Sequence, residues 1–302
     1  MTIVALLIIT TILWAFSFSL IGEYLAGSVD SYFSVLMRVG LAALVFLPFL
    51  RTRGQSPRTI VLYMLVGAMQ LGIMYLLAFR AYLYLTVSEF LLFTVFTPLY
   101  ITLIYDLLSG RKLRWGYLLS AGLAVVGAAI IRYDKVSDHF WTGLLLVQLS
   151  NICFAIGMVG YKRLMEVRPM PQHNAFAWFY AGAFLVAVAA WFMLGNPQRL
   201  PTTGLQWGIL IWLGVVASGL GYFMWNYGAT QVDAGTLGIM NNVHVPAGLL
   251  VNLAIWQEQP HWPSFIIGAL VILASLWVHR RWVAPHSAQT ANDRKRGSAL
   301  SE

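Results

Sequence analysis

Charge is scarce in this chain of 302 residues. Only 10% are Asp, Glu, Lys or Arg, against about 25% in an ordinary soluble domain. Cysteine is scarcer still. The single Cys153 excludes an internal disulfide and any multi-cysteine metal centre, and its apolar surroundings in sequence read as buried and inert. The signatures of several chemistries are missing. There is no GxxxxGK(S/T) phosphate loop to power a built-in ATP motor, no HExxH, no GxSxG and no cysteine/histidine metal cluster. The chain therefore reads as a non-enzyme with no cofactor and no metal. Nucleic acid is excluded as a partner by the placement of charge. The net charge is +8, but the basic residues fall in short clusters between apolar runs.

What the sequence has in excess is hydrophobicity: 59% of residues are apolar and the mean hydropathy is +0.73. The fold class that follows is an all-α polytopic membrane protein, with the lipid bilayer as its solvent. Ten apolar runs of roughly spanning length are predicted: Ile3–Ile21, Tyr32–Leu50, Ile60–Phe79, Leu85–Tyr105, Leu113–Ile131, Trp141–Tyr161, Asn174–Leu194, Trp207–Tyr227, Gly235–Trp256 and Pro263–Trp282. The first lacks the basic flank of a cleaved signal and reads as a permanent span. Connections are short, so no soluble domain is inserted. The polar tail 283–302 is expected to be cytoplasmic and disordered.

Lys and Arg set the orientation. With the N-terminus inside, fourteen of them fall in inside segments, at Arg51–Arg58, Arg111–Arg114, Lys162–Arg168 and Arg280–Arg296, and four outside, at Arg80, Arg132, Lys135 and Arg199. That asymmetry predicts both termini in the cytoplasm.

The chain also repeats itself. Ala81 precedes Pro98 by seventeen residues, and Ala229 precedes Pro246 by seventeen, a shift of 148 in both cases. Two halves of five spans, 1–136 and 137–282, enter the bilayer from opposite sides because five is odd. The expectation is two inverted five-helix repeats, an architecture that places a solute site near the midplane between the halves.

Polar residues at that depth mark the site. The ninth run, GTLGIMNNVHVPAGLLVNLAIW, carries Asn241, Asn242, His244 and the helix-opening Pro246. At 1.5 Å per residue, Trp14, Gln70, Thr97, Asn151 and His244 lie on the order of 14–16 Å into their spans, near the middle of a ~30 Å core. Each comes from a different span. The candidate solute-binding set is Trp14, Arg38, Gln70, Thr97, Asn151, Asn241, Asn242 and His244. Trp14 suits stacking on a flat solute. Arg38, about 9 Å into span two, suits a solute carboxylate. Glu89 and His244 are the candidates for proton coupling. The bland alternatives are helix–helix hydrogen bonding for Gln70, Asn151, the asparagines and His244, and mutual pairing or snorkelling for Arg38 and Glu89.

These features resemble the drug/metabolite transporter superfamily with two EamA-type halves. The first half shows Trp14, Phe18, Arg38, Ala81, Pro98, GRKL at Gly110–Leu113, Gly122 and Gly127. The second shows Ala229, Pro246, Glu258 and Gly268, and Arg111 stands where the first half usually has an acidic residue. The resemblance covers about residues 3–282. It implies a secondary transporter whose spans one, three, four, six, eight and nine line a central cavity. Stretches such as RAYLYLTVSEFLLFT and GYFMWNYGATQVDAGTLGIMNN further resemble bacterial inner-membrane biotin transporters, which implies biotin as the small-molecule solute, taken up by a monomer or homodimer. Export of amino acids or related metabolites is the alternative. Composition and spacing alone do not name the solute.

Overall fold

The computed structural model describes residues 3–108, 119, 122–123, 126–127, 130, 138–232, 241, 247–257 and 262–282. Seven helices among them are long and apolar enough to cross a membrane: α1 (Ala5–Leu25), α2 (Ser31–Phe49), α3 (Pro57–Ala81), α4 (Val87–Leu108), α5 (His139–Val167), α6 (Gln172–Leu194) and α7 (Gly204–Gln231). The apolar segment α8 (Ala247–Trp256) is shorter, and α9 (Trp262–Trp282) closes the described chain. Among the described residues there is no strand. Most of the run Leu113–Ile131, together with Asn242, His244, Pro246, Glu258 and the tail 283–302, lies outside the described residues.

The bundle is apolar inside and out. Leu7, Leu71, Phe93, Phe176, Tyr180 and Trp225 are buried, while Ile12, Leu44, Leu65, Leu185 and Phe192 stand exposed on its flank. An exposed belt of large apolar side chains suits lipid and not water.

Two ends can be told apart by their loops. At one, the Asp30 carboxylate caps α2 by accepting from the Phe33 N–H at 2.9 Å, and also accepts from the Asn196 N–H at 3.2 Å. The Asp30 N–H donates to the Arg199 carbonyl at 2.7 Å, and the Arg199 guanidinium returns to the Gly27 carbonyl. The α1–α2 and α6–α7 turns are thus tied together at this Asp30 end. At the other, Arg51 end, Trp178 donates to the Arg51 carbonyl at 3.2 Å, Tyr63 to the Arg168 carbonyl at 3.1 Å, and Lys162 to the carbonyls of Ala229 and Val232 at 3.1 and 2.8 Å.

Three of the helices contain a π stretch. α1 ends in a π stretch at Ile21–Leu25, α3 contains one at Ala68–Ile73, and α7 contains one at Leu213–Leu220. Such bulges concentrate at functional sites because the extra residue re-aims the side chains around it. α4 is broken by a 3₁₀ turn at Thr94–Phe96. Pro98 causes this, since it has no N–H to give the Thr94 carbonyl. The Thr97 hydroxyl supplies that hydrogen bond instead, at 2.7 Å, which is how a broken helix survives in lipid.

Candidate functional site

A cavity opens where α1 to α5 and α7 converge, on the Asp30 side of the bundle's middle. Ser17, Phe18 and Ile21 from the second half of α1 line it, as do Arg38 of α2, Tyr75 to Tyr82 on the last turns of α3, and Phe90 to Thr97 of α4. Ser150, Asn151 and Phe154 of α5, Tyr222 of α7 and Asn241 complete the wall. About 70 Å³ is open to the centres of water-sized molecules, room for several waters at ~10–15 Å³ each. Toward the Arg51 end the space closes on the packed side chains of Leu7, Tyr63, Tyr161, Phe179 and Trp225, all essentially fully buried.

Five of the eight candidate solute-binding residues meet in this cavity: Trp14, Arg38, Thr97, Asn151 and Asn241. Trp14 forms its floor. Its indole N–H donates to the Ala217 carbonyl at 3.1 Å, and its ring packs 4.5 Å from Tyr222 and 5.0 Å from Trp225, centroid to centroid. Asn151 donates to the Phe93 carbonyl at 3.0 Å, so its amide N–H serves the broken segment of α4. Thr97 is occupied by the same break. At the rim, Tyr82 stacks on Phe90 at 4.2 Å, and Phe90 meets Phe18 at 5.7 Å.

Arg38 differs from all of these. It is only 3% exposed, yet among the described residues no carboxylate pairs with it. Its Nε donates to the Ser218 hydroxyl at 2.6 Å, and its guanidinium lies over the Tyr75 ring, 4.2 Å from the centroid. The Nε bond to Ser218 is its one side-chain hydrogen bond among the described residues, and the residue lines the cavity. A charge held at this depth without a counter-charge costs several kcal/mol.

Gln70 and Glu89 lie elsewhere. Gln70 has the expected depth but faces away from the cavity, paired with Asn226 of α7. Glu89 begins α4 in a capping box. Its carboxylate accepts from the Thr86 N–H at 2.9 Å, and the Thr86 hydroxyl accepts from the Glu89 N–H at 3.3 Å. A carboxylate there also meets the positive end of the helix dipole. The structure does not bring Glu89 and Arg38 into an ion pair. Asn242 and His244 are outside the described residues. Ser218, Tyr75 and Tyr222 are not legible as site residues from the sequence, since nothing in their apolar runs marks them out.

A bundle of helices long and apolar enough to cross a membrane, with a buried arginine that lines a cavity and has no carboxylate partner among the described residues, has the build of a membrane transporter. The chain belongs to the EamA-like transporter family, whose profile matches residues 1–133 and again 141–280. It is 83% identical over 298 residues to the biotin transporter of Escherichia coli K12, covering 99% of this chain and all of that one. It is 82% identical, over the same shares, to the biotin transporter of Salmonella typhimurium LT2. The probable biotin transporter of Pseudomonas aeruginosa PAO1 is 55% identical, over 91% of this chain and 96% of its own. A solved crystal structure at 18% identity superposes with a TM-score of 0.63, covering 91% of this chain and 96% of the other, so the fold is shared.

Proposed function

We propose that this protein carries biotin across the bacterial inner membrane as a secondary transporter, by alternating access, with Arg38 as the seat of the solute carboxylate. One observation carries the reading: a buried arginine that lines a cavity, with no carboxylate partner among the described residues. The chemistry of biotin suits this site. Its carboxylate matches the guanidinium fork, and its fused ring suits the wall of Trp14, Phe154 and Tyr222. The names of the relatives support the same solute.

The architecture proposed is ten spans in two inverted repeats, 1–136 and 137–282. Its support is the 148-residue shift and the family profile, which matches the chain twice. The Lys/Arg bias favours cytoplasmic termini, which turns the Asp30 end outward and leaves the packed Arg51 end as the closed inner gate. Tyr82, Phe90 and Phe18 then form the lid that a solute displaces on entry. Asn242 and His244 belong to the proposed site by their position in span nine, and Glu89 and His244 are proposed to couple transport to protons.

Uptake of labelled biotin into cells lacking their own route tests the reading. Cells expressing this chain accumulate biotin, and cells expressing Arg38→Gln do not. Absence of any gain in biotin uptake, with faster efflux of an amino acid, would favour an exporter.

A further inference from the structure

The two halves of the chain meet at the Arg38 side chain. Arg38 is on α2, and the group that holds its Nε is the Ser218 hydroxyl of α7, 180 residues away and 2.6 Å distant. A guanidinium offers five N–H donors in a rigid fork. With Nε committed to Ser218 and one face covered by Tyr75 at 4.2 Å, the edge left over is the terminal one. Its two parallel N–H donors are the pair a carboxylate accepts side by side.

Ser218 is itself held in place. Its hydroxyl lies 2.9 Å from the Tyr75 hydroxyl, and an oxygen with two lone pairs serves both Arg38 and Tyr75. Its carbonyl accepts from the Tyr180 hydroxyl of α6 at 2.7 Å. The residue is fully buried within the π stretch Leu213–Leu220. Gly214, on the same stretch, lets α2 come close. A Cβ there would stand 3.1 Å from the Arg38 carbonyl and 2.7 Å from the Leu41 Cβ. The widened turn of α7 thus brings a hydroxyl to the one guanidinium nitrogen that carboxylate binding does not need.

We infer that Ser218 is a positioning residue, which turns the terminal edge of the Arg38 guanidinium toward the solute carboxylate and lets α7 govern the grip of α2 on the solute. This inference rests on the proposed role of Arg38. Any movement that parts the π stretch of α7 from α2 frees Nε, lets the guanidinium rotate on its stem and loosens the paired contact.

The test is binding of biotin and of its uncharged methyl ester to the purified full-length protein, as wild type, Ser218→Ala and Arg38→Gln. The wild type prefers the acid. Ser218→Ala is expected to bind the acid about tenfold more weakly and the ester as before, and the retained ester binding reports that the variant is folded. Arg38→Gln is expected to lose the preference for the acid entirely. If Arg38→Gln loses that preference and Ser218→Ala keeps it in full, the positioning inference is wrong and the carboxylate seat stands. If Ser218→Ala weakens both ligands equally, the residue serves packing and the inference is again wrong. If Arg38→Gln keeps the wild-type preference, the reading beneath it falls as well.

Discussion

Gln70 and Asn226 hold each other by both ends of their side-chain amides. Gln70 Nε2 donates to Asn226 Oδ1 at 3.1 Å, and Asn226 Nδ2 donates to Gln70 Oε1 at 3.3 Å. Neither residue has any exposed surface. The pair ties α3 to α7 beside Trp225, on which the cavity floor Trp14 rests. Gly157 of α5 backs it so tightly that a Cβ there would lie 2.2 Å from the Gln70 Cβ. Under the proposed alternating access, this clamp moves as a unit or parts when the Arg51 end opens. Removing one amide strands the other, at a cost of about 1–3 kcal/mol. Asn226→Leu and Gln70→Leu are each expected to lower the thermal midpoint in detergent. The double variant is expected to recover most of the loss, because no orphaned amide remains. Strictly additive losses would contradict the pairing.

A second prediction concerns the crossing of α3 and α6. A Cβ on Gly67 would sit 1.8 Å from the Phe179 carbonyl oxygen, and one on Gly182 would sit 1.9 Å from that of Met64. The obstacle is backbone in both cases, so no rotamer relieves it. Gly67→Ala and Gly182→Ala are each expected to force the helices apart and to deplete folded protein from the membrane. Gly208→Ala, where an added Cβ meets nothing within 4 Å, is expected to leave the level unchanged. Quantitative blotting of membrane fractions checks the contrast.

Glu89 allows its capping and coupling roles to be separated. Glutamine keeps the capping box and removes the titratable proton. Under the proposed coupling, Glu89→Gln retains its thermal midpoint and exchanges labelled for unlabelled biotin, but loses accumulation driven by a pH gradient. Normal accumulation would remove Glu89 from the proposed coupling. Glu89→Ala, which keeps the Thr86 cap and loses the carboxylate bond to the Thr86 N–H, is expected to be destabilised by about 1 kcal/mol.

The sequence located the site in one dimension. Counting residues into a span gives depth, and at the right depth Trp14, Thr97 and Asn151 line the cavity, joined by Arg38 from a shallower level. Depth says nothing of the angle around the helix axis, and in a helix apolar on every side no periodicity supplies it. Gln70 shows the consequence. It matches the others in depth but lies within the π stretch Ala68–Ile73, which shifts the register of α3, and it points at Asn226. Ser218 is illegible for a different reason. Its role comes from a contact across 180 residues, and a lone serine in an apolar run carries no mark of its partner. The helix limits show the same division. α5 runs on through Lys162 to Val167 and past the apolar run ending at Tyr161, because a lysine there reaches the carbonyls that end α7.

Direct binding of biotin to purified wild-type and Arg38→Gln protein tests the carboxylate seat most directly. A charged hydrogen-bond pair is worth about 1.5–3 kcal/mol, so the account predicts an affinity lower by roughly ten- to a hundredfold in Arg38→Gln, with the folded state intact by thermal midpoint. Wild-type affinity in a folded Arg38→Gln protein would contradict it.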